Sequence, residues 1–167
     1  MRAFQIQDIK IFMSHLLLSN TFDRFLLHEA SISIFSTFTI DGHLNKDYYS
    51  YDEEEKDTVD TMKYGYWEQY RPFCFSLIKG KKTPAGMKLV FQLSPGGLNK
   101  LLTANHLPLR PEDVGGLFLN IRYDGQKLLA TTGTSLKVFS VDKTLDQIWD
   151  NLIAGFLKKH EIPFTTE

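Results

Sequence analysis

The chain has 167 residues, of which 43% are hydrophobic, and its formal net charge at neutral pH is −1. A net charge near zero excludes a broadly basic surface for nucleic acid, although it leaves room for a local basic patch. The single cysteine excludes an internal disulfide and a thiolate metal cluster. The length suits one domain or two small fused halves. No stretch has the roughly 20 apolar residues of a membrane-spanning helix, and no leader pattern stands at the start, so we expect a cytoplasmic protein.

The first 50 residues predict a strand, a helix and then several more strands. Residues 1–7 suit a short strand, and Asp8 stands at a helix N-cap position. An apolar stripe at helical spacing follows and predicts a helix of about three turns. Residues 22–51 are rich in β-branched and aromatic residues, and Asp41-Gly42 predicts a hairpin turn between two strands.

The acidic run at residues 51–57 has almost nothing to bury, so we expect a solvated loop there, with an acidic docking surface as the alternative. Beyond it, Trp67, Cys74 and their apolar neighbours at helical spacing predict a helix, with Cys74 as a small buried residue. Pro72 lies inside this pattern, so the helix is either kinked at Pro72 or begins there.

Residues 87–93 begin a second series of elements in the same order. They suit a strand, after which Ser94-Pro95 predicts an N-cap and a first helical position. Strands are predicted at residues 117–123, 127–133 and 135–141, and Asp124-Gly125 predicts a hairpin turn between the first two. Thr144 and Gln147 predict a capping box that opens the most strongly amphipathic helix of the chain.

Landmarks recur at nearly constant separation. Phe4-Gln5 recurs 87 residues later, Asp41-Gly42 recurs 83 residues later and Trp67 recurs 82 residues later. We therefore predict an α+β fold built by internal duplication, with repeats at 1–84 and 85–167 in one compact domain. Each repeat is predicted to contain, in order, a strand, a helix, three strands and a second helix. The repeats form an antiparallel sheet with helices on one face, similar to the saddle of the TATA-binding protein or the units of sliding clamps, a likeness that carries no function.

The outward face of this sheet supplies the candidate binding residues. Alternation along residues 117–123 leaves Phe118, Asn120 and Arg122 on that face, and Phe35 takes the matched position in the first half. An outward aromatic can stack on bases, anchor a partner, or pack against the other half or a second subunit. With the basic residues nearby and those of the GKKTP loop, the candidate set is Phe35, Phe118, Asn120, Arg122, Lys137, Lys79, Lys81 and Lys82.

No motif predicts a cofactor or a metal. GKKTP lacks the upstream glycine of a phosphate-binding loop, and Lys82 separates Gly80-Lys81 from Thr83. The five histidines show no metal-ligand spacing, and regular alternation places His28 and Glu29 on opposite faces of a strand. Paired carboxylates occur only in the acidic run, so no catalytic residue is predicted.

Three stretches, FDRFLLHEASISIFSTFTIDG, YRPFCFSLIKGKKTP and GLFLNIRYDGQKLLATTGTSLKVFS, resemble a family of uncharacterised proteins from anaerobic Gram-positive bacteria. The resemblance spans nearly the whole chain. It implies no activity, cofactor or catalytic residue.

We interpret the chain as a non-catalytic binding or assembly module, with a protein partner or self-association favoured. The near-zero net charge and the acidic run, which repels phosphate, place nucleic acid second. A saddle-like nucleic-acid-binding protein is the first alternative, and an enzyme without a local sequence motif is the second.

Overall fold

A computed structural model describes residues 1–49, 52–80 and 82–167. Within these ranges the chain forms seven strands and five α-helices, with short 3-10 turns at Lys46–Tyr49 and Pro111–Asp113. In chain order the elements are β1 (Ala3–Ile6), α1 (Ile9–Leu17), β2 (Leu26–Ser33), β3 (Thr37–Asp41), α2 (Glu53–Met62), α3 (Trp67–Ile78), β4 (Gly86–Gln92), α4 (Pro95–Ala104), β5 (Val114–Tyr123), β6 (Leu128–Leu136), α5 (Thr144–Lys159) and β7 (Phe164–Thr166).

All seven strands belong to one open sheet, and every neighbouring pair is antiparallel. The order across the sheet is β3-β2-β4-β5-β6-β1-β7, so β3 and β7 are its edges. The predicted α+β class with an antiparallel sheet is therefore confirmed.

The hydrophobic core lies on one face of the sheet. Alternate residues of each central strand are buried, as β5 shows with Leu117, Leu119 and Ile121. Helices α1, α3, α4 and α5 bury side chains in the same core, whereas α2 buries only Val59 and contributes nothing to it. The helical members of the core are Phe12, Leu16, Leu17, Trp67, Cys74, Leu101, Leu102, Leu145, Trp149, Ile153 and Leu157.

Two of the predicted helix starts are confirmed and a third is wrong in detail. Asp8 accepts a hydrogen bond from the Ile11 backbone N–H, and Ser94 accepts one from Gly97. At α5 the predicted capping box does not form. Thr144 is the first helical residue, and its backbone N–H and hydroxyl both donate to the Asp142 carboxylate.

Residues 53–57 of the acidic run form the start of a helix, so the prediction of a loop is wrong for them, while Tyr51 lies outside the described residues. Asp52 accepts hydrogen bonds from the backbone N–H groups of Glu54 and Glu55, and α2 begins at Glu53. Three glutamates in the first turn also interact favourably with the positive end of the helix dipole. Helix α3 begins at Trp67, so Pro72 lies inside the helix and does not start it.

The two Asp-Gly pairs have different structures. The prediction for Asp124-Gly125 is confirmed: the pair turns the chain from β5 to β6, with Asp124 accepting from the Gln126 and Lys127 backbone N–H groups. The prediction for Asp41-Gly42 is wrong, because the chain turns between β2 and β3 at residues 34–36. Gly42 instead extends β3, and its N–H donates to the His28 carbonyl.

The internal duplication is not confirmed. Strand β1 pairs with β6 and β7, whereas β4, its counterpart, pairs with β2 and β5. The predicted strand at 135–141 does not form either, since β6 runs to Leu136 and residues 137–143 contain no strand. The pairing partners of the two first strands thus differ, although both halves share the order strand, helix, hairpin.

Candidate functional site

The second face of the sheet, which we call the open face, carries the outward side chains of the central strands. On β5 these are Phe118, Asn120 and Arg122, and the register places them opposite Gln92, Val90 and Lys88 of β4. The alternation predicted for β5 therefore matches the observed burial, in which Leu117, Leu119, Ile121 and Tyr123 are the buried set.

One end of the open face is occupied by a group of rings, which we call the His28 cluster: His28, His43, Tyr64, Gln92 and Phe118. The His28 ring stacks on the Tyr64 ring with 3.7 Å between centroids, and the edge of one ring meets the face of the other between His28 and Phe118, at 5.1 Å. A ring nitrogen of His28 shares a hydrogen bond with the Gln92 side-chain carbonyl. The ring centroids of His43 and Tyr64 are 5.5 Å apart.

A bulge in β2 positions His28. Leu27 pairs with Phe91 of β4, and Glu29 pairs with the next residue, Val90, so His28 is an extra residue between them. Tyr64 lies in the segment after α2. In this segment the backbone of Tyr64 pairs with that of His43, and Tyr66 pairs with Leu26 at the start of β2. Backbone pairing on both sides therefore holds the stacked rings of His28 and Tyr64.

Two cavities flank the cluster, and His28 and Tyr64 line both of them. The first measures about 800 Å³ and lies over β2, β3 and β4, where Glu29, Ser31, Asp41 and Lys88 line it. The second measures about 610 Å³ and lies towards α4, where its lining includes Gln92, Leu98, Asn99, Glu112 and Lys137. The stacked rings thus form a wall between two concave surfaces.

Charges of both signs lie on the open face. The Lys88 ammonium lies 3.0 Å from the Glu29 carboxylate, and Glu29 is opposite Asp41 in the register of β2 and β3. Arg122, opposite Lys88, has no ion pair within the ranges that the structure describes. Arg122 is therefore a cation that a bound molecule can pair with.

Phe35 and Phe118 do not share a surface. Phe35 lies in the β2–β3 turn with 90% of its side chain exposed, and its ring packs edge to face on Phe38. Phe118 is partly buried against His28, and the register places it in line with Gln92 of β4 and Leu26, the first residue of β2. Phe35 follows Ser33, the last residue of β2. At about 3.3 Å per residue, Leu26 and Ser33 are roughly 23 Å apart along β2.

The lysines of the candidate set are spread over the molecule. Lys137 follows β6, lines the second cavity and donates its backbone N–H to the Asp113 carbonyl. Lys79 ends α3 and Lys82 lies in the following loop, and neither lines the two cavities. Lys81 lies outside the described residues. The structure thus brings Phe118, Asn120 and Arg122 together on one face of β5 and separates Phe118 from Phe35.

Sequence reasoning missed His28 and Tyr64. Regular alternation predicted His28 and Glu29 on opposite faces of a strand, and that prediction is wrong because the bulge at His28 directs both side chains to the first cavity. No motif marks Tyr64, which reaches the open face through tertiary pairing. Within the described ranges, no group of three or more His, Cys, Asp or Glu side chains is arranged to hold a metal ion.

The chain belongs to a family of unknown function, DUF5721, whose model matches residues 15–165. Comparison with the curated proteins and with the solved structures returned no match. Among the described residues, no helix has both the length and the apolar composition to cross a membrane.

Proposed function

We propose that this family member is a non-catalytic binding module of the bacterial cytoplasm, and that the open face of its sheet receives a protein partner. The observation that supports the proposal is the set of outward side chains on β4 and β5, of which Lys88 and Arg122 are exposed and the others half-buried, together with the His28 cluster and its two cavities. An antiparallel sheet with one face buried and the other free is well suited to hold such a set in fixed positions.

The charges of the open face favour protein over nucleic acid. A phosphate backbone is bound by several uncompensated cations, each of which releases counterions. On this face Glu29 pairs with Lys88, Asp41 lies beside Glu29, and Glu112 lines the second cavity with Lys137. Mixed charges around aromatic rings suit a protein surface with its own mixture of polar and apolar groups.

A partner is expected to depend on Arg122, since this guanidinium has no ion pair in the described part of the chain and lies on β5, the middle strand of the sheet, near its turn into β6. The experiment keeps Arg122 and replaces Asn120, the next outward residue on β5, with a photo-crosslinking amino acid, identifies the crosslinked protein from the source organism, and measures its affinity in purified form. Arg122→Glu is expected to raise the Kd at least tenfold, about 1.4 kcal/mol.

The matched control is Lys158→Glu, which makes the same change of charge on the exposed side of α5. Its affinity for the identified partner should equal that of the unmodified protein. If both variants bind the purified partner as tightly as the unmodified protein does, the open face is not the binding surface.

Nucleic acid is a second candidate, because Lys88 and Arg122 lie opposite each other on the face of the sheet that also carries the rings of the His28 cluster. Such rings can stack on unpaired bases while the cations meet phosphates. Fluorescence anisotropy with a single-stranded oligonucleotide at roughly 50 mM and 200 mM salt tests it, since binding through phosphates weakens steeply over that range. No binding at the lower salt concentration would rule this candidate out.

A further inference from the structure

Strand β3 is a free edge of the sheet. Its five residues, Thr37–Asp41, pair with β2 on one side, and no described strand pairs with them on the other. Natural edge strands are usually protected by a lysine, a proline, a bulge or a covering element. β3 has no lysine or proline, and its pairing with β2 is regular over all five residues. An edge with regular pairing and without these protective features is a template for a further strand.

An apolar groove runs beside this edge, between β3 and α3. It measures about 550 Å³, and its lining is Phe38, Thr39, Ile40, Tyr70, Phe73, Ser76 and Leu77. None of these side chains carries a charge. The groove therefore favours an apolar occupant, and the free edge of β3 favours one with an extended backbone.

Phe73 extends this apolar surface outward from α3, since 68% of its side chain is exposed although it lines the groove. Phe38 and Ile40 are half-buried on the core side of the same edge. Aromatic side chains of this kind contribute most to binding when a partner removes them from water.

The edge is complementary to itself. If two copies of β3 pair antiparallel about Thr39, then Phe38 lies opposite Ile40 of the second copy, and Thr37 lies opposite Asp41. Apolar residues then meet apolar residues, and no two carboxylates are opposed. A two-fold axis through Thr39 also brings both apolar grooves to the same side of the joined sheet, each with its own Phe73.

We infer that the chain forms a homodimer through its β3 edges, in antiparallel register about Thr39. The second copy supplies an extended strand whose Phe38 and Ile40 are the apolar residues at this edge, and whose only charge, at Asp41, lies at the end of the strand. Two seven-stranded sheets then become one continuous sheet, and the first cavities of the two copies adjoin across the dimer axis, because Thr39 and Asp41 line them. The inference concerns the edge and not the open face, so it does not rest on the proposed function.

Sedimentation equilibrium of the purified chain over a range of concentrations tests the dimer. Phe73→Asp is expected to raise the dimer Kd at least a hundredfold, because the carboxylate enters an apolar interface once from each copy. Phe139→Asp is the matched control, since Phe139 is an exposed phenylalanine after β6 that does not line the groove. It should leave the Kd unchanged.

A charge pair at Thr39 tests the register. Thr39→Lys and Thr39→Glu are each expected to form weaker homodimers than the unmodified protein, because like charges meet at the axis. When the two variants are mixed, nearly all of the dimer should be heterodimer, compared with the half that random pairing gives, as native mass spectrometry would show. Thr166→Lys and Thr166→Glu, the same changes on the opposite edge β7, should mix statistically.

A monomer at every concentration would overturn the inference. So would a dimer that Phe73→Asp leaves intact, or Thr39 variants that mix statistically. Circular dichroism and urea unfolding of each variant establish that it is folded, so a loss of the dimer cannot be attributed to a loss of the fold.

Discussion

The two halves of the chain each contain an Asp-Gly pair, and tertiary packing gives the two glycines different roles. Gly125 has a φ of 95°, in the region that favours glycine, and it turns β5 into β6. Gly42 lies where a Cβ would fall 1.8 Å from the Leu27 carbonyl oxygen. Its N–H donates to His28, and its carbonyl accepts from Gly65 and from the Tyr70 hydroxyl. The same dipeptide therefore serves a turn in one half and a close approach of backbones in the other.

The tryptophans of the two halves, by contrast, have similar environments. Both side chains are fully buried, and each indole N–H donates to a backbone carbonyl of its own half: Trp67 to Leu16 at 2.9 Å, and Trp149 to Phe118 at 2.8 Å. A buried indole N–H that donates to a carbonyl avoids the free-energy cost of an unsatisfied buried donor, whatever its position in the fold. The two tryptophans thus have the same role, because burial alone determines it. The two Asp-Gly pairs have different roles, because the neighbouring backbone determines them.

Replacing the two glycines tests this comparison, and it has the largest expected effect. Gly42→Ala should lower the free energy of unfolding by more than about 3 kcal/mol, since its methyl group meets backbone atoms that cannot move aside. Gly125→Ala should cost about 1–2 kcal/mol, mainly for the positive φ. Urea unfolding measures both. Equal losses would show that Gly42 is no more constrained than a turn glycine.

The acidic side chains buried in the two halves are held differently, which gives a second test. In the first half Arg71 of α3 donates two hydrogen bonds to Asp23, at 2.8 and 2.9 Å, whereas in the second half Asp150 of α5 accepts from the Thr132 hydroxyl. Arg71→Met leaves the Asp23 carboxylate buried without its partner, and we expect a loss of about 2–3 kcal/mol in unfolding free energy.

Asp23→Asn combined with Arg71→Met should recover part of that loss, since the unpaired charge is then gone. Lys46→Ala, which removes the exposed ion pair with Asp60, is the control and should change the urea midpoint very little. If the double variant is no more stable than Arg71→Met, the loss comes from packing and not from the unpaired carboxylate.

The smallest expected effect is a pH dependence that arises from a cysteine in α3. Burial raises the pKa of the Cys74 thiol to about 12, from its ordinary value of 9.0. The folded state therefore disfavours the thiolate, so the stability from the neutral thiol is complete below pH 9 and is lost between pH 9 and 12. The contribution to the slope is at most about 1.4 kcal/mol per pH unit in that window.

Cys74→Ala separates the contribution of the thiol from that of Tyr70. The separation is needed because burial also raises the pKa of Tyr70, which titrates in the same range. Guanidinium unfolding at pH 8 and pH 10 should show a smaller decrease in stability for Cys74→Ala than for the unmodified chain. Decreases of equal size would mean that the thiol ionises in the folded protein as easily as in the unfolded one.

The amino-acid sequence by itself determined the class of the fold and much of its local structure. The period of apolar residues predicted α1, α3, α4 and α5, because a helix buries one stripe, and alternation along β5 predicted its two faces. Capping at Asp8 and Ser94 and the turn at Asp124-Gly125 followed from side chains that bond to nearby backbone groups. Each of these features depends on residues close together in the chain.

Tertiary structure alone decided the strand order, the role of Gly42 and the composition of the candidate site. The His28 cluster joins residues from β2, the segment after α2, β4 and β5, and its geometry depends on a bulge that no local pattern marks. The free edge at β3 likewise follows from which strands pair. The physical reason is common to all three features. Contacts between residues far apart in the chain fix them, whereas the sequence pattern reports only which side of each element is buried.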